Sequence, residues 1–68
     1  MNFKHEINDT DTSRTVVATS PTTVEPQKLV NYALQFAPSY NVKKDVKAEG
    51  RHYINGDMLV QVTWLKED

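Results

Sequence analysis

Residues 55–65 have the sequence NGDMLVQVTWL, in which a turn-forming pair precedes a strand-like segment. Asn-Gly favours a tight type I′ hairpin turn, because both central residues of that turn need a positive φ. After the pair, apolar side chains occupy every second position: Met58, Val60, Val62 and Trp64. This period of two is typical of a β-strand with one buried face. The segment therefore predicts the second strand of a C-terminal hairpin.

The first strand of that hairpin precedes the turn, and its register raises a problem. Uninterrupted pairing from the turn would place three charged residues on the buried face: Lys47, Glu49 and Arg51. Charged groups are costly in that position. A β-bulge at Glu49-Gly50 would shift the register by one residue and set Ala48 opposite Val62. We therefore predict a bulged hairpin over 41–66, with strands at 41–54 and 57–66.

The N-terminal part of the chain predicts a second hairpin, over residues 2–19. Phe3, His5 and Ile7 alternate with charged residues, and β-branched residues are frequent over 14–19. Between these segments lie short polar side chains that favour turns, which predicts a loop of about six residues.

A helix is predicted over 24–37. Thr22 and Glu25 have the spacing of a capping box, and Pro26 stands in the first turn, where a missing N–H matters least. Pro38 is expected to end the helix. Apolar residues at helical spacing form the predicted inner face: Leu29, Val30, Ala33, Phe36 and Ala37.

Together these segments predict a single α+β domain over residues 1–68. The expected architecture is an antiparallel sheet of about four strands, in the order ββαββ, with the helix packed on one face. A second interpretation places a helix over 41–49, capped by Ser39 and ended by Gly50, which would suggest a helix-turn-helix or winged arrangement. The expected centre of the core comprises Leu29, Ala33, Phe36, Val46, Val60, Val62 and Trp64.

The composition excludes several classes of protein. The chain has 68 residues, a formal charge of −1 and no cysteine. No segment approaches the roughly 20 apolar residues of a membrane span, and disulfides, thiol-ligated metals and cysteine catalysis are excluded. The segment after Met1 lacks a secretory signal, so we expect a cytoplasmic protein. A domain this short buries only about 60% of its unfolded surface, which predicts a marginally stable monomer.

Motifs for metal binding and catalysis are incomplete. Asp9 and Asp11 match the start of an EF-hand calcium loop, but Arg14 stands where glycine is needed. His5 and His52 do not have the spacing of a metal site. With two glycines, the chain holds neither a nucleophile elbow nor a phosphate-binding loop. We therefore predict no enzymatic activity, no metal and no cofactor.

A partner surface is predicted on the outer face of the C-terminal hairpin. Several apolar residues on one sheet face mark such a surface, and a second chain would stabilise a small domain. An unprotected C-terminal strand could also pair across a twofold axis. We expect a homodimeric, non-enzymatic protein that binds another protein as an inhibitor, adaptor or accessory factor, consistent with a bacteriophage or mobile-element origin. The candidate contact residues are His52, Ile54, Leu59 and Leu65.

The alternative function is nucleic-acid binding through residues 41–51. On a helix, the basic residues of this segment would align and contact phosphates, whereas on a strand they would form a mixed-charge surface. The even balance of acidic and basic residues disfavours strong electrostatic capture of nucleic acid. The residues concerned are Lys43, Lys44, Lys47 and Arg51.

Overall fold

The computed structural model describes residues 3–43, 47–52 and 58–67, and for residues 47–49, 51 and 52 it describes the backbone. The strands form one antiparallel sheet in the order β1-β2-β4-β3, and the helix packs against β2 and β4. The α+β class, with an antiparallel sheet and one helix, is confirmed. The elements are β1 (Lys4–Asp9), β2 (Ser13–Ser20), α1 (Pro26–Leu34), β3 (Lys47–His52) and β4 (Met58–Leu65).

The N-terminal hairpin has a shorter loop than the predicted six residues. The ladder continues to Asp9 opposite Arg14, so that three residues, beginning with Thr10, connect the strands. The Thr10 N–H donates to the carbonyl of Ser13 at 2.8 Å, and the Thr10 hydroxyl accepts from the N–H of Thr12 at 3.2 Å. These local bonds satisfy the backbone of the turn, so the short polar side chains tighten the connection instead of lengthening it.

The start of α1 differs from the predicted capping box. Glu25 is the N-cap residue, with φ −60° and ψ 129°, and no side chain caps the helix. The capping box of Thr22 and Glu25 is therefore wrong. The ring of Pro26 disfavours helical angles at the preceding residue, so Glu25 is extended and the helix begins at Pro26. The Glu25 carbonyl then accepts the N–H of Lys28 at 3.0 Å.

The regular part of α1 ends at Leu34, three residues before the predicted end at 37. A tighter turn follows, in which the N–H of Phe36 donates to the carbonyl of Ala33 at 3.1 Å and that of Ala37 to Leu34 at 3.3 Å. Bonds between residues three apart are typical of frayed helix ends. Pro38 has no N–H and restricts Ala37, so the chain leaves the helix here.

The pairing of β3 with β4 is continuous, so the predicted bulge at Glu49-Gly50 is wrong. Ala48 lies opposite Val62, as predicted, and Gly50 lies opposite Val60 in the same unbroken register. A Cβ on Gly50 would meet the Val60 side chain at 3.9 Å, an ordinary contact. The glycine therefore sits in a regular strand.

The one-residue shift that the bulge was to supply already exists at His52. His52 pairs with Met58, so an odd number of residues lies between the two strands. A two-residue turn with regular pairing on both sides would leave an even number between any paired residues. The odd number therefore supplies the shift of one residue. Residues 53–57, with Ile54 and the predicted Asn55-Gly56 turn, lie outside the described residues.

The segment before β3 is not the alternative helix over 41–49. Val42 forms a β-bridge with Lys66, and the N–H of Lys43 donates to the carbonyl of Leu65 at 2.8 Å. Residues 47–52 form β3. Extended pairing satisfies this backbone, and Val42 packs against the core.

The core lies between α1 and the two central strands. Leu29 and Ala33 of α1 are buried, as predicted, and so are Val60, Val62 and Trp64. Phe36 is partly buried at the margin of the core instead of at its centre, and Val46 lies outside the described residues. The other buried hydrophobic residues are Val16, Ala18 and Met58.

The central position of β4 overturns the idea of a C-terminal edge strand. It pairs with β2 on one side and with β3 on the other, so its backbone is occupied along both edges. The edge strands are β1 and β3. As for membranes, α1 has nine residues, and none of the described segments forms a helix long and apolar enough to cross a bilayer.

Candidate functional site

The two faces of the sheet differ because α1 covers one of them. On the face beneath α1, which we call the inner face, every second residue of β4 is buried, from Met58 to Trp64. The residues between them point to the opposite side, which we call the outer face. α1 packs on the inner face, where it contacts β2 and β4.

An uncharged strip runs along the outer face of β2 and β4. All but one of its eight residues are half-buried, and Gln61 is exposed. The chain as a whole is 25% charged, yet none of these neighbouring positions carries a charge. The uncharged strip consists of Ser13, Thr15, Val17, Thr19, Leu59, Gln61, Thr63 and Leu65.

The middle of the uncharged strip is ordered by side-chain contacts across the strands. Thr15 lies opposite Thr63, and their hydroxyl groups are 3.1 Å apart, a hydrogen-bonding distance. Next to this pair, Val17 lies opposite Gln61. β-branched residues have few rotamers, so the strip presents a surface that loses little conformational entropy on binding.

Charged residues border the uncharged strip on both sides. On β1, Lys4 and Glu6 are exposed and lie opposite strip residues of β2. On β3, a triplet of charged residues pairs with Thr63, Gln61 and Leu59 of the strip. An uncharged centre with a charged rim is the usual composition of a protein–protein contact surface. The triplet on β3 is Lys47, Glu49 and Arg51.

The predicted partner-binding residues fall in different places. Leu59 and Leu65 are half-buried members of the uncharged strip. His52 instead lies opposite Met58, and directly opposed residues belong to the same face, so its register position is on the inner face. The predicted register was off by one residue at that point. Ile54 lies outside the described residues.

Val17 is the apolar residue of the strip that the sequence did not identify. Val16 and Val17 are adjacent, so the alternation in β2 does not show which of them faces the helix. The pairing of β2 with β4 decides this, because it sets Val16 opposite buried Val62 and Val17 opposite Gln61. A local pattern does not contain that long-range pairing.

The predicted nucleic-acid site is not assembled as expected. Its alignment required a helix, whereas Lys47 and Arg51 belong to strand β3, with Glu49 between them on the same register row. Lys43 is exposed and its backbone is bonded to Leu65. Lys44 lies outside the described residues. The basic residues within the described part are therefore interleaved with an acidic one instead of forming a basic stripe.

His5 belongs to an aromatic cluster between β1 and α1. Its ring stacks on Phe36 with a centroid distance of 4.0 Å, and its Nδ1 lies 2.9 Å from the hydroxyl of Tyr32. Phe3 meets the edge of Tyr32 at a centroid distance of 5.3 Å. The cluster packs the end of α1 on the first hairpin.

Asp9, the first residue of the incomplete EF-hand pattern, forms an ion pair instead. Arg14 donates to its two carboxylate oxygens at 2.7 and 3.1 Å and to the carbonyl of Phe36 at 3.2 Å. The hydrogen bonds from Arg14 lower the pKa of Asp9, and the bond to Asp9 raises the pKa of Arg14. No group of three or more acidic or histidine side chains in the described ranges could hold a metal ion.

Comparison with known proteins identifies no relative from which a site could be transferred. No protein-family model, no curated protein and no solved structure matches this chain.

Proposed function

We propose that this protein is a non-enzymatic binding protein, an inhibitor, adaptor or accessory factor, that docks on another protein through the outer face of its sheet. The proposal rests on one observation: the uncharged strip lies along the two central strands and has charged positions on either side. In this proposal the ββαββ chain forms a sheet of four strands, of which β2 and β4 supply the centre of the contact.

The composition of the uncharged strip suits a protein partner. Val17, Leu59 and Leu65 supply apolar area, whose removal from water stabilises a complex by about 25 cal/mol per Å². The hydroxyl groups of Thr15 and Thr63 already bond to each other, so they are not left unsatisfied when water is excluded. No charge in the strip has to be desolvated.

The same composition indicates what the partner surface is like. It should be flat and largely uncharged at its centre, since the strip consists of short side chains on a sheet. Mixed charges should surround that centre, because both signs occur on the rim. Nucleic acid fits less well, since its phosphates need a basic surface and the strip contains neither lysine nor arginine.

Binding through the strip is tested by a charge placed at its centre. Gln61 is exposed and lies between Val17 on β2 and Glu49 on β3. Gln61→Glu therefore sets two carboxylates opposite each other, which costs some stability, and thermal unfolding confirms that the variant is folded at the temperature of the binding measurement. A buried unpaired carboxylate at the contact should weaken partner binding by about tenfold or more. The partner is first isolated from nuclease-treated lysate on the wild-type protein, and its affinity for purified variants is then measured by calorimetry.

Gln27→Glu is the matched control, because it makes the same change on the exposed side of α1. It should bind the partner as the wild type does. Equal affinity of the Gln61→Glu and wild-type proteins would contradict a contact through the strip. Loss of binding with Gln27→Glu alone would move the contact to the helix.

A further inference from the structure

Strand β1 has a free edge. It is the outermost strand on its side of the sheet, and all six of its residues are exposed. Proline, bulges, very short length and charged side chains are the usual devices that prevent an edge strand from pairing with another chain. β1 has six residues in unbroken register with β2 and carries only the last of these devices, with Lys4, Glu6 and Asp9, so another chain can pair with it where like charges are kept apart.

The direction of the backbone groups of β1 follows from the turn. The Thr10 N–H points across to Ser13, to which it is bonded at 2.8 Å. Residues of an antiparallel pair alternate between bonding to the neighbouring strand and pointing away from it. Counting back from Thr10, the backbone groups of His5, Ile7 and Asp9 therefore point to the free edge.

These three residues can pair with the same three residues of a second copy of the chain. If two β1 strands pair antiparallel about a twofold axis at Ile7, each Ile7 lies opposite the other, and each His5 lies opposite the second copy's Asp9. The outward backbone groups then form bonds at all three positions. On the outer side, Glu6 lies opposite Asn8, so no like charges oppose each other.

Neighbouring registers fit less well. A twofold axis at Glu6 sets two carboxylates directly opposite each other, which is unfavourable. An axis at Asn8 sets Ile7 opposite a carboxylate. An axis at His5 sets Lys4 opposite Glu6, but it also opposes two histidines. It would need the backbone of Phe3, which lies outside the strand and whose carbonyl accepts from the Tyr32 hydroxyl at 3.5 Å. The register centred on Ile7 opposes no like charges and keeps its three outward pairs, Ile7 with Ile7 and His5 with Asp9 on either side, within the strand.

The exposure of Ile7 supports the same register. Its side chain lies on the inner face, opposite buried Val16, yet it is 40% exposed. The helix does not cover it, because α1 packs against β2 and β4. Two Ile7 side chains adjacent on a twofold axis would cover each other.

We propose that this protein forms a homodimer by antiparallel pairing of two β1 strands about a twofold axis at Ile7. The axis is perpendicular to the sheet, so the two sheets become one continuous sheet with both helices on the same side. Both uncharged strips then lie on the opposite side and remain accessible. The homodimer does not depend on the proposed function, because its contacts are at the edge of the sheet and not on the outer face.

The dimer is tested first by sedimentation equilibrium across micromolar to millimolar concentrations. Ile7→Lys places two like charges opposite each other and should raise the dimer dissociation constant by about tenfold or more. Leu34→Lys is the matched control, since Leu34 is 42% exposed and lies on α1. It should dimerise as the wild type does. A wild type that is monomeric throughout, or a dimer lost in Leu34→Lys and kept in Ile7→Lys, would overturn the proposal.

The register is tested by disulfide formation, because the chain has no cysteine of its own. Single-cysteine variants at positions 5, 6, 7 and 8 are oxidised under mild conditions, and the rate of covalent dimer formation is measured. Ile7→Cys should react fastest, since opposed residues lie within disulfide range. A maximum at another position would overturn the register. A dimer that persists in Gln61→Glu, whatever that variant does to partner binding, separates this proposal from the proposed function.

Discussion

The inner and outer faces of β2 and β4 are built from alternate residues of the same two strands, yet they follow different rules. On the inner face Val16, Ala18, Val60 and Val62 are almost completely buried beneath α1. On the outer face the neighbouring residues are half-buried and also uncharged. Burial by α1 explains the absence of charge on the first face. It does not explain it on the second, where long side chains such as lysine could keep their charged ends in solvent.

The difference separates residues that stabilise the fold from residues that are available for contacts. Antiparallel sheets with one solvated face usually alternate apolar residues with polar, often charged, ones. Here the outer positions of β1 follow that rule, with Lys4 and Glu6, and the outer positions of β2 and β4 do not. Substitutions on the inner face should therefore lower stability, and those on the strip should affect binding more than stability.

The largest expected effect on stability is that of Trp64→Ala. Trp64 is 4% exposed and belongs to the core between the sheet and α1. Replacing a buried aromatic residue by alanine costs about 3–5 kcal/mol, which should lower the Tm of so small a domain by more than about 12 °C. Thermal unfolding followed by far-UV circular dichroism measures the shift.

Leu65→Ala, one position further along the same strand, is the control for this prediction. Leu65 is a half-buried residue of the uncharged strip, and its truncation should cost about 1 kcal/mol, because less apolar area returns to water. Equal losses of Tm at the two positions would mean that the outer face is as important to the fold as the inner face.

A smaller effect is expected from exchanging valine and threonine between the faces. Val62 is completely buried, so Val62→Thr introduces a hydroxyl without a partner and should cost about 1–3 kcal/mol. Thr63→Val removes one side of the bond to Thr15 in a half-buried position, where water can replace it. Its cost should be below about 1 kcal/mol. Urea unfolding of both variants, compared at equal m-values, gives the two free energies.

The composition of the inner face could largely be predicted from the sequence. The spacing of Leu29 and Ala33 identified the buried side of the helix, and the alternation from Met58 to Trp64 identified the buried side of β4. Both patterns are local, since each depends on residues two to four positions apart. The helix was predicted to begin at residue 24, two residues before its actual start at Pro26, because the restriction that Pro26 places on Glu25 was assigned to a capping box.

The outer face could be predicted only in part, because it is assembled from two strands far apart in the sequence. Leu59 and Leu65 were identified, but Val17 depends on the pairing of β2 with β4, which no local pattern encodes. The register of β3 failed for a related reason. The Asn55-Gly56 pair favoured one register locally, while the charges of β3 favoured another, and the second is the one observed over Lys47–His52.

The smallest expected effect belongs to the edge of the sheet, where Asp9 and Arg14 form their ion pair. The bonds from Arg14 lower the pKa of Asp9 below its ordinary value of 3.8. The unfolded chain therefore binds a proton at this carboxyl more readily than the folded chain does, and stability rises with pH across that interval. The contribution should be fully present above the ordinary pKa and disappear as the pH falls through the lower, folded value.

Asp9→Asn measures the contribution of this ion pair to stability. The difference in Tm between wild type and variant should be smallest near about pH 2, grow toward about pH 5 and then stay constant. Asp11→Asn, in the neighbouring turn, removes the same charge without the bond to Arg14 and should show a flatter difference. Arg14 also donates to the carbonyl of Phe36, so its ion pair with Asp9 connects the edge of the sheet to the residues that follow α1. A pH dependence shared by both variants would mean that net charge, and not this ion pair, causes the change in stability.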